Sequence, residues 1–151
     1  MTFITNKVTN AVFIALLSLV YGGLFLLISG HMEFLSTLPP KASVNYGFWN
    51  TWLTFIYDGG LTIIGYTILG ITVAIGGLSF FGSYKKLDEY QSSLLLKVIM
   101  VSGLITLVSF PLLVINVLSE PLFAIPFTLF FVVVIWLFFQ ITYLLFLIKL
   151  R

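Results

Sequence analysis

The sequence contains no cysteine and a single histidine, and each shortage removes a class of site. Without cysteine there is no disulfide, no thiolate metal site and no covalently attached haem, and cysteine usage gives no information about redox compartment. Haem held by two histidines of this chain is excluded because His31 stands alone. The acidic residues expected on the same side, Glu33, Asp58 and Glu120, are better explained as solvated interfacial charges than as metal ligands.

Charge is also scarce, since only 8% of the residues are charged, compared with about a quarter in a soluble domain. Four apolar runs, at about 10–30, 60–82, 98–118 and 122–148, contain no ionisable residue near their middles. Ion-coupled transport generally needs an ionisable group within the membrane. No phosphate-binding loop, nucleophile elbow or metalloprotease motif occurs either. The sequence therefore predicts neither an enzyme nor a bound cofactor.

The four runs are what the sequence has in abundance, in a chain that is 60% hydrophobic. A helix of about 20 residues crosses a bilayer, and continuous apolar runs without alternation are typical of helices and not of membrane barrels. We therefore expect an all-α membrane protein: four transmembrane helices in an antiparallel up-down bundle that forms one domain over residues 1–151. The first run is too long for a signal peptide and has no small-x-small cleavage site. We expect it to be retained, with Met1 as the mature start.

The basic residues predict the orientation of the bundle. Lys and Arg accumulate in cytoplasmic loops, and the side that holds both termini carries six of the seven: Lys7, Lys85, Lys86, Lys97, Lys149 and Arg151. The other side has only Lys41. Both termini are therefore expected in the cytoplasm. The basic residues are too few and too dispersed to predict a nucleic-acid surface or a dedicated anionic-lipid site.

The connections between the spans carry their own signals. In the first one, Phe48, Trp52 and Phe55 fall at helical spacing, which predicts a short helix lying in the membrane interface. The Asp58-Gly59-Gly60 segment should separate that helix from span two, with Asp58 as its N-cap. Residues 83–93 are expected to form a polar turn. Pro121 suits the first turn of span four, whereas Pro111 should kink span three.

Rows of small residues predict which faces of the spans approach closely, because transmembrane helices associate where small side chains let their backbones meet. The predicted helix-packing residues are Ala11, Ala15, Ser18 and Gly22 on span one, Thr67, Gly70, Ala74 and Gly77 on span two, and Ser102, Thr106 and Ser109 on span three, followed by Asn116. A second row on span two, which includes Gly65, Thr72 and Ser79, lies on another face. Span two is therefore the expected centre of the bundle.

Gln140 is the most polar group of span four, and Trp136 and Tyr143 share its helix face. An interhelical hydrogen bond worth about 0.6–2 kcal/mol explains Gln140 best. The alternative is that the three residues contact a lipid or quinone. Trp49 and Trp52 in the first connection are candidates for the same contact, although aromatic belts look alike.

Three functions remain open. The first is a non-catalytic integral membrane subunit or scaffold that packs against other membrane proteins in a larger complex. The second is a small channel or carrier protomer that works as a homo-oligomer, with the polar row of span three lining its pore. The third is a lipid- or quinone-binding component of a membrane enzyme. Membrane lipid and other membrane proteins, or further copies of the chain, are the expected partners, and nucleic acid is not.

Overall fold

The computed structural model describes residues 6–40, 47–80 and 87–150, and these residues are helical with no strand. The helices are α1 (Lys7–Ser29), α2 (Met32–Ser36), α3 (Gly47–Tyr57), α4 (Gly60–Phe80), α5 (Glu89–Ser119) and α6 (Ala124–Lys149), with a 3₁₀ turn at Pro121–Phe123 before α6. Four are long and apolar enough to cross a membrane: α1, α4, α5, and α6 together with its 3₁₀ turn. The predicted all-α, multi-pass membrane fold is confirmed.

Local hydrogen bonds set where two of the spans begin. At α1, the Asn6 side chain accepts from the backbone amide of Val8 at 3.0 Å, which satisfies a free N-terminal donor. At α5, the Gln91 amide donates to Asp88 Oδ1 at 2.7 Å and the Gln91 side chain reaches back to the Asp88 amide. This capping box starts α5 at Glu89 and not at residue 98. The turn predicted over residues 83–93 is therefore wrong from Glu89 onward, and residues 83–86 lie outside the described part.

The predicted break between α3 and α4 is confirmed, but its cap is not. Gly59 has φ +82°, a left-handed conformation that favours glycine. Because α4 begins at Gly60, the cap position belongs to Gly59. The Asp58 amide instead donates to the Thr54 carbonyl at 2.9 Å and closes α3. A Cβ atom on Gly60 would overlap the ring of Phe55, so any larger residue here would require that ring to move.

The interior lies between α1, α4 and α6, and α5 stands at the edge. Two apolar clusters occupy opposite ends of the bundle, one around Leu53, Leu61 and Phe127, the other around Ile14 and Ile75. In the most apolar 18-residue stretch of each span, only 6% is buried for α5, compared with 28–33% for the other spans. Among the described elements, α5 packs mainly against α6 and the 3₁₀ turn before it. The bundle is thus a three-helix core with a peripheral fourth span.

The tightest backbone contact is where α1 crosses α4. A Cβ atom on Gly65 would lie 3.0 Å from the Gly22 carbonyl oxygen, and one on Gly22 would lie 3.3 Å from the Gly65 carbonyl oxygen. Side chains at either position would push the helices apart. The row predicted on span one therefore faces α4, with Ala11, Ser18 and Gly22 buried and Ala15 partly buried.

On α4, the face that meets α1 is the second small-residue row and not the first. Gly65 and Ser79 are buried and Thr72 is partly buried. Thr67, Gly70 and Ala74 are exposed and Gly77 is partly exposed, and a Cβ atom on Gly70 or Gly77 would meet no heavy atom within 4 Å. The prediction that the first row packs against another helix of this bundle is therefore wrong for the described residues. The helix is rotated by its larger side chains, because Leu61, Ile68 and Ile75 recur every seven residues and all are fully buried.

Pro121 lies where span four begins, as expected, whereas the kink expected at Pro111 stays a prediction. Pro121 opens the 3₁₀ turn that leads into α6, and Pro126 sits in the first turn of α6, where a missing amide costs no helical hydrogen bond. α5 continues from Glu89 to Ser119 through Pro111. The hairpin of α5 and α6 is therefore joined by a very short connection around Glu120.

Candidate functional site

Gln140 forms a polar centre that joins three spans, and its side chain is fully buried, with 0% exposed. Its Nε2 donates to Ser18 Oγ on α1 at 2.8 Å and to Thr72 Oγ1 on α4 at 3.0 Å. The same nitrogen lies 3.3 Å from the Ile68 carbonyl oxygen. Because a carbonyl only accepts, this contact fixes the amide with its nitrogen toward α4.

The polar centre lies at mid-depth in the bundle. Ser18 is eleven residues from each end of α1, which corresponds to about 16 Å of helix in either direction. No water is expected in the hydrocarbon at that depth, so polar groups must find partners within the protein. The Thr72 hydroxyl donates to the Ile68 carbonyl at 2.7 Å and remains free to accept from Gln140. The arrangement holds α1, α4 and α6 in one register.

Trp136 and Tyr143 extend this face of α6 in both directions. The Trp136 ring lies 4.8 Å from the Tyr21 ring on α1. Tyr143 is 2% exposed, and its ring lies 5.7 Å from the Phe146 ring. Gln140 Oε1 and Trp136 Nε1 are buried without a hydrogen-bond partner among the described residues. Gln140 and Tyr143 are thus buried inside the bundle and Trp136 is partly buried. Their suggested contact with a lipid or quinone stays a prediction.

The tryptophans of α3 form an aromatic cluster with the start of α6. Trp49 lies 4.5 Å from Phe127 and 5.4 Å from Phe130, measured between ring centroids. The Trp52 ring lies 5.4 Å from that of Phe130, and its Nε1 donates to the Pro126 carbonyl at 2.9 Å. Both indoles thereby fasten α3 to the bundle. Their contact with a lipid or quinone also stays a prediction.

The hydroxyl row of span three meets α6 only in part. Ser109 is buried and Ser102 is partly buried, with its oxygen 3.4 Å from Thr142 Oγ1. Thr106 is exposed and donates to the Ser102 carbonyl of its own helix at 3.0 Å. The Asn116 side-chain nitrogen likewise donates to the Leu112 carbonyl at 2.7 Å. Two of the four side chains thus donate to their own helix backbone.

The described residues form no metal-binding cluster around the candidate ligands His31, Glu33, Asp58 and Glu120. Within residues 6–40, 47–80 and 87–150, no three His, Cys, Asp or Glu side chains lie close enough to hold a metal ion. Comparison with protein-family models, curated proteins and solved structures finds no match. The geometry of the helices is therefore the ground for a functional proposal.

Proposed function

We propose that this protein is a non-catalytic integral membrane subunit or scaffold that packs against another membrane protein through α4. The observation that carries the proposal is that α4 has small-residue rows on two faces. One face is closed by α1 at the Gly22–Gly65 crossing, and the other, at Thr67, Gly70 and Ala74, is open.

The open face of α4 offers what a second transmembrane helix needs. Lipid tails are as apolar as side chains, so helices in a bilayer associate through close packing, which small residues permit. A Cβ atom on Gly70 or Gly77 would meet nothing within 4 Å, so the backbone of α4 is accessible there. The outer surface of α5 contrasts with it, because it presents large side chains: Leu104, Leu107, Val108, Phe110 and Ile115. That surface suits fluid lipid.

The polar groups of the spans support a structural role over a transport pathway. Gln140 joins Ser18 and Thr72, and Ser29 accepts from Thr62 at 2.8 Å across α1 and α4. In the polar row of span three, which was the suggested pore lining, the Thr106 and Asn116 side chains donate hydrogen bonds to backbone carbonyls of their own helix. A side chain that donates to its own helix in this way has one donor fewer to offer to a water-filled path.

The proposal is tested by measuring the mass of the complex purified in mild detergent or lipid nanodiscs. We expect a stoichiometric membrane-protein partner with the wild-type chain, and loss of that partner in Gly70→Leu. The matched control is Gly103→Leu on α5, an exposed glycine where an added Cβ also meets nothing within 4 Å. It should retain the partner.

Three outcomes would contradict the proposal. Equal loss of the partner in both variants would show that the partner does not bind specifically to the open face of α4. A discrete homo-oligomer of the wild-type chain would favour the channel or carrier protomer instead. A monomer of 16.9 kDa without any partner would contradict both functions.

The proposal includes a cytoplasmic location for both termini, based on the distribution of Lys and Arg. Since the sequence has no cysteine, single cysteines can be introduced without a background signal. Glu120→Cys, in the connection between α5 and α6, should react with an impermeant thiol reagent added outside intact cells. Glu89→Cys, at the start of α5, should react only after the membrane is opened. Both residues are exposed, so the reverse pattern would overturn the orientation.

A further inference from the structure

A groove of about 260 Å³ runs between α5 and α6 at the end of the bundle where α6 terminates. Its lining is almost wholly apolar and includes Lys97, Val98, Val101, Thr142, Leu145 and Lys149, so the lysines contribute their methylene stems. The groove is distinct from the open face of α4. It lies next to the Ser102–Thr142 contact between the two helices.

The structure brings Lys97 and Lys149 to nearly the same depth. Ser102 on α5 faces Thr142 on α6, and the two helices run in opposite directions. Lys97 lies five residues from Ser102, about 7.5 Å along the axis, and Lys149 lies seven residues from Thr142, about 10.5 Å along the axis. Both lysines line one groove and are exposed, and their flexible stems let the ammonium groups reach a headgroup at its mouth, although the sequence suggested dispersed charges.

This depth corresponds to the membrane interface. From Ser119, at the end of α5, the helix needs about 20 residues to cross the hydrocarbon, which ends the crossing close to Lys97. Lys149 is in the last turn of α6. Lysine stems lie along apolar surface while their charged ends reach the interface. A ligand here meets two positive charges at headgroup level and an apolar trough below them.

We propose that this groove binds an anionic glycerophospholipid, with the headgroup phosphate between Lys97 and Lys149 and one acyl chain along the trough. Basic pockets between transmembrane helices bind anionic headgroups in this way. The lysines supply the charge complementarity, and Val98, Val101 and Leu145 supply the surface for the chain. The inference stands independently of the proposed docking face on α4.

Native mass spectrometry of the full chain tests it, by titration in neutral detergent with dioleoylphosphatidylglycerol or dioleoylphosphatidylcholine. The two lipids share acyl chains and differ in headgroup charge. We expect tighter binding of phosphatidylglycerol, with each lysine contributing about fivefold in affinity, equivalent to about 1 kcal/mol. Lys97→Gln with Lys149→Gln should abolish the preference. Lys7→Gln, which removes a charge from the start of α1 outside the groove, should preserve it.

A second variant tests the trough without altering charge. Val101→Trp fills the groove and should weaken binding of phosphatidylglycerol at least fivefold, while inorganic phosphate should fail to compete at millimolar concentration. Circular dichroism and gel filtration establish that each variant is folded. If Val101→Trp binds as the wild type does, or if Lys7→Gln loses as much affinity as the double variant, the lipid is held by diffuse surface charge and the proposal is wrong. Equal affinity of the wild type for both lipids would overturn it as well.

Discussion

The contact between α1 and α4 and the contact between α5 and α6 both join two antiparallel spans, but the first is much tighter than the second. In the first, Gly22 and Gly65 let two backbones meet so closely that a Cβ atom on Gly65 would lie 3.0 Å from a carbonyl oxygen. In the second, the helices leave a groove of about 260 Å³ between them. We call the α1–α4 contact the closed seam, because its backbones leave no room for lipid, and the α5–α6 contact the open seam, because its groove is accessible to lipid.

The difference between the two contacts indicates which helices are held together by packing and which surface remains available to lipid. Dispersion between closely packed atoms drives helix association where no hydrophobic effect operates, so the α1–α4 seam should contribute most to the stability of the fold. Gln140 adds a polar link from α6 to the same seam. α5, which is buried almost only by α6, is the span whose contacts are easiest to exchange for lipid.

The largest expected effect is that of Gly65→Val, which breaks the closed seam. The added Cβ atom would lie 2.8 Å from Leu26 Cγ as well as 3.0 Å from the Gly22 carbonyl oxygen, so the helices must separate. Overpacking of this kind costs about 1–3 kcal/mol. We expect a loss in that range in the free energy of unfolding, measured by denaturant titration in bicelles.

The control for the seam is Gly70→Val on the opposite face of α4, where an added Cβ meets nothing within 4 Å. Both substitutions replace glycine by valine in one helix, so the intrinsic helical preference cancels in the comparison. The difference between the two variants should exceed about 1 kcal/mol. Equal stability would mean that the Gly22–Gly65 crossing does not hold the bundle together.

The sequence predicted the four spans because long apolar runs have few alternatives in a bilayer, and it predicted the buried row of α1 from Ala11 to Gly22. It did not predict the rotation of α4. Both rows of that helix are equally small, and its remaining residues are apolar all round, so no polar face indicates the orientation. Leu61 and Ile68, which are 0% exposed, decide it by filling the interior. Only the burial of these residues in the folded chain reveals the orientation.

Long-range juxtapositions were equally hidden in the sequence. Gln140 was expected to make an interhelical hydrogen bond, but its partners Ser18 and Thr72 are set by the register of three helices. Lys97 and Lys149 were counted separately for orientation, and the antiparallel pairing of α5 with α6 places them on one groove. The start of α5 had a local signal that the prediction missed, the capping box of Asp88 and Gln91.

A smaller effect is expected for Gln140→Leu, which removes the polar link while keeping the volume. Interhelical hydrogen bonds in membranes contribute about 0.6 kcal/mol on average and at most about 1.7. Leucine also removes the buried Oε1 that has no partner among the described residues, and Thr72 keeps its bond to the Ile68 carbonyl. We therefore expect a loss of about 0.5–1.5 kcal/mol in the unfolding free energy.

Asn116→Leu on α5 is the matched control for this loss. It also converts an amide to leucine within a span, but among the described residues the Asn116 side chain bonds only to the Leu112 carbonyl of its own helix. Its effect should fall below that of Gln140→Leu. If the two variants are equally stable, the polar centre does not couple α1, α4 and α6.

The smallest effect should come from the open seam, tested by a double-mutant cycle of Ser102→Ala and Thr142→Val. The two oxygens lie 3.4 Å apart, long for a hydroxyl hydrogen bond. Thr142 already donates to the Phe138 and Phe139 carbonyls of α6 at 2.9 Å, so only Ser102 is free to donate across the seam. We expect a coupling energy below about 0.5 kcal/mol. A coupling above about 1 kcal/mol would show that α5 is held as firmly as α4. The contact between α5 and α6 would then be rigid, and lipid would not replace it.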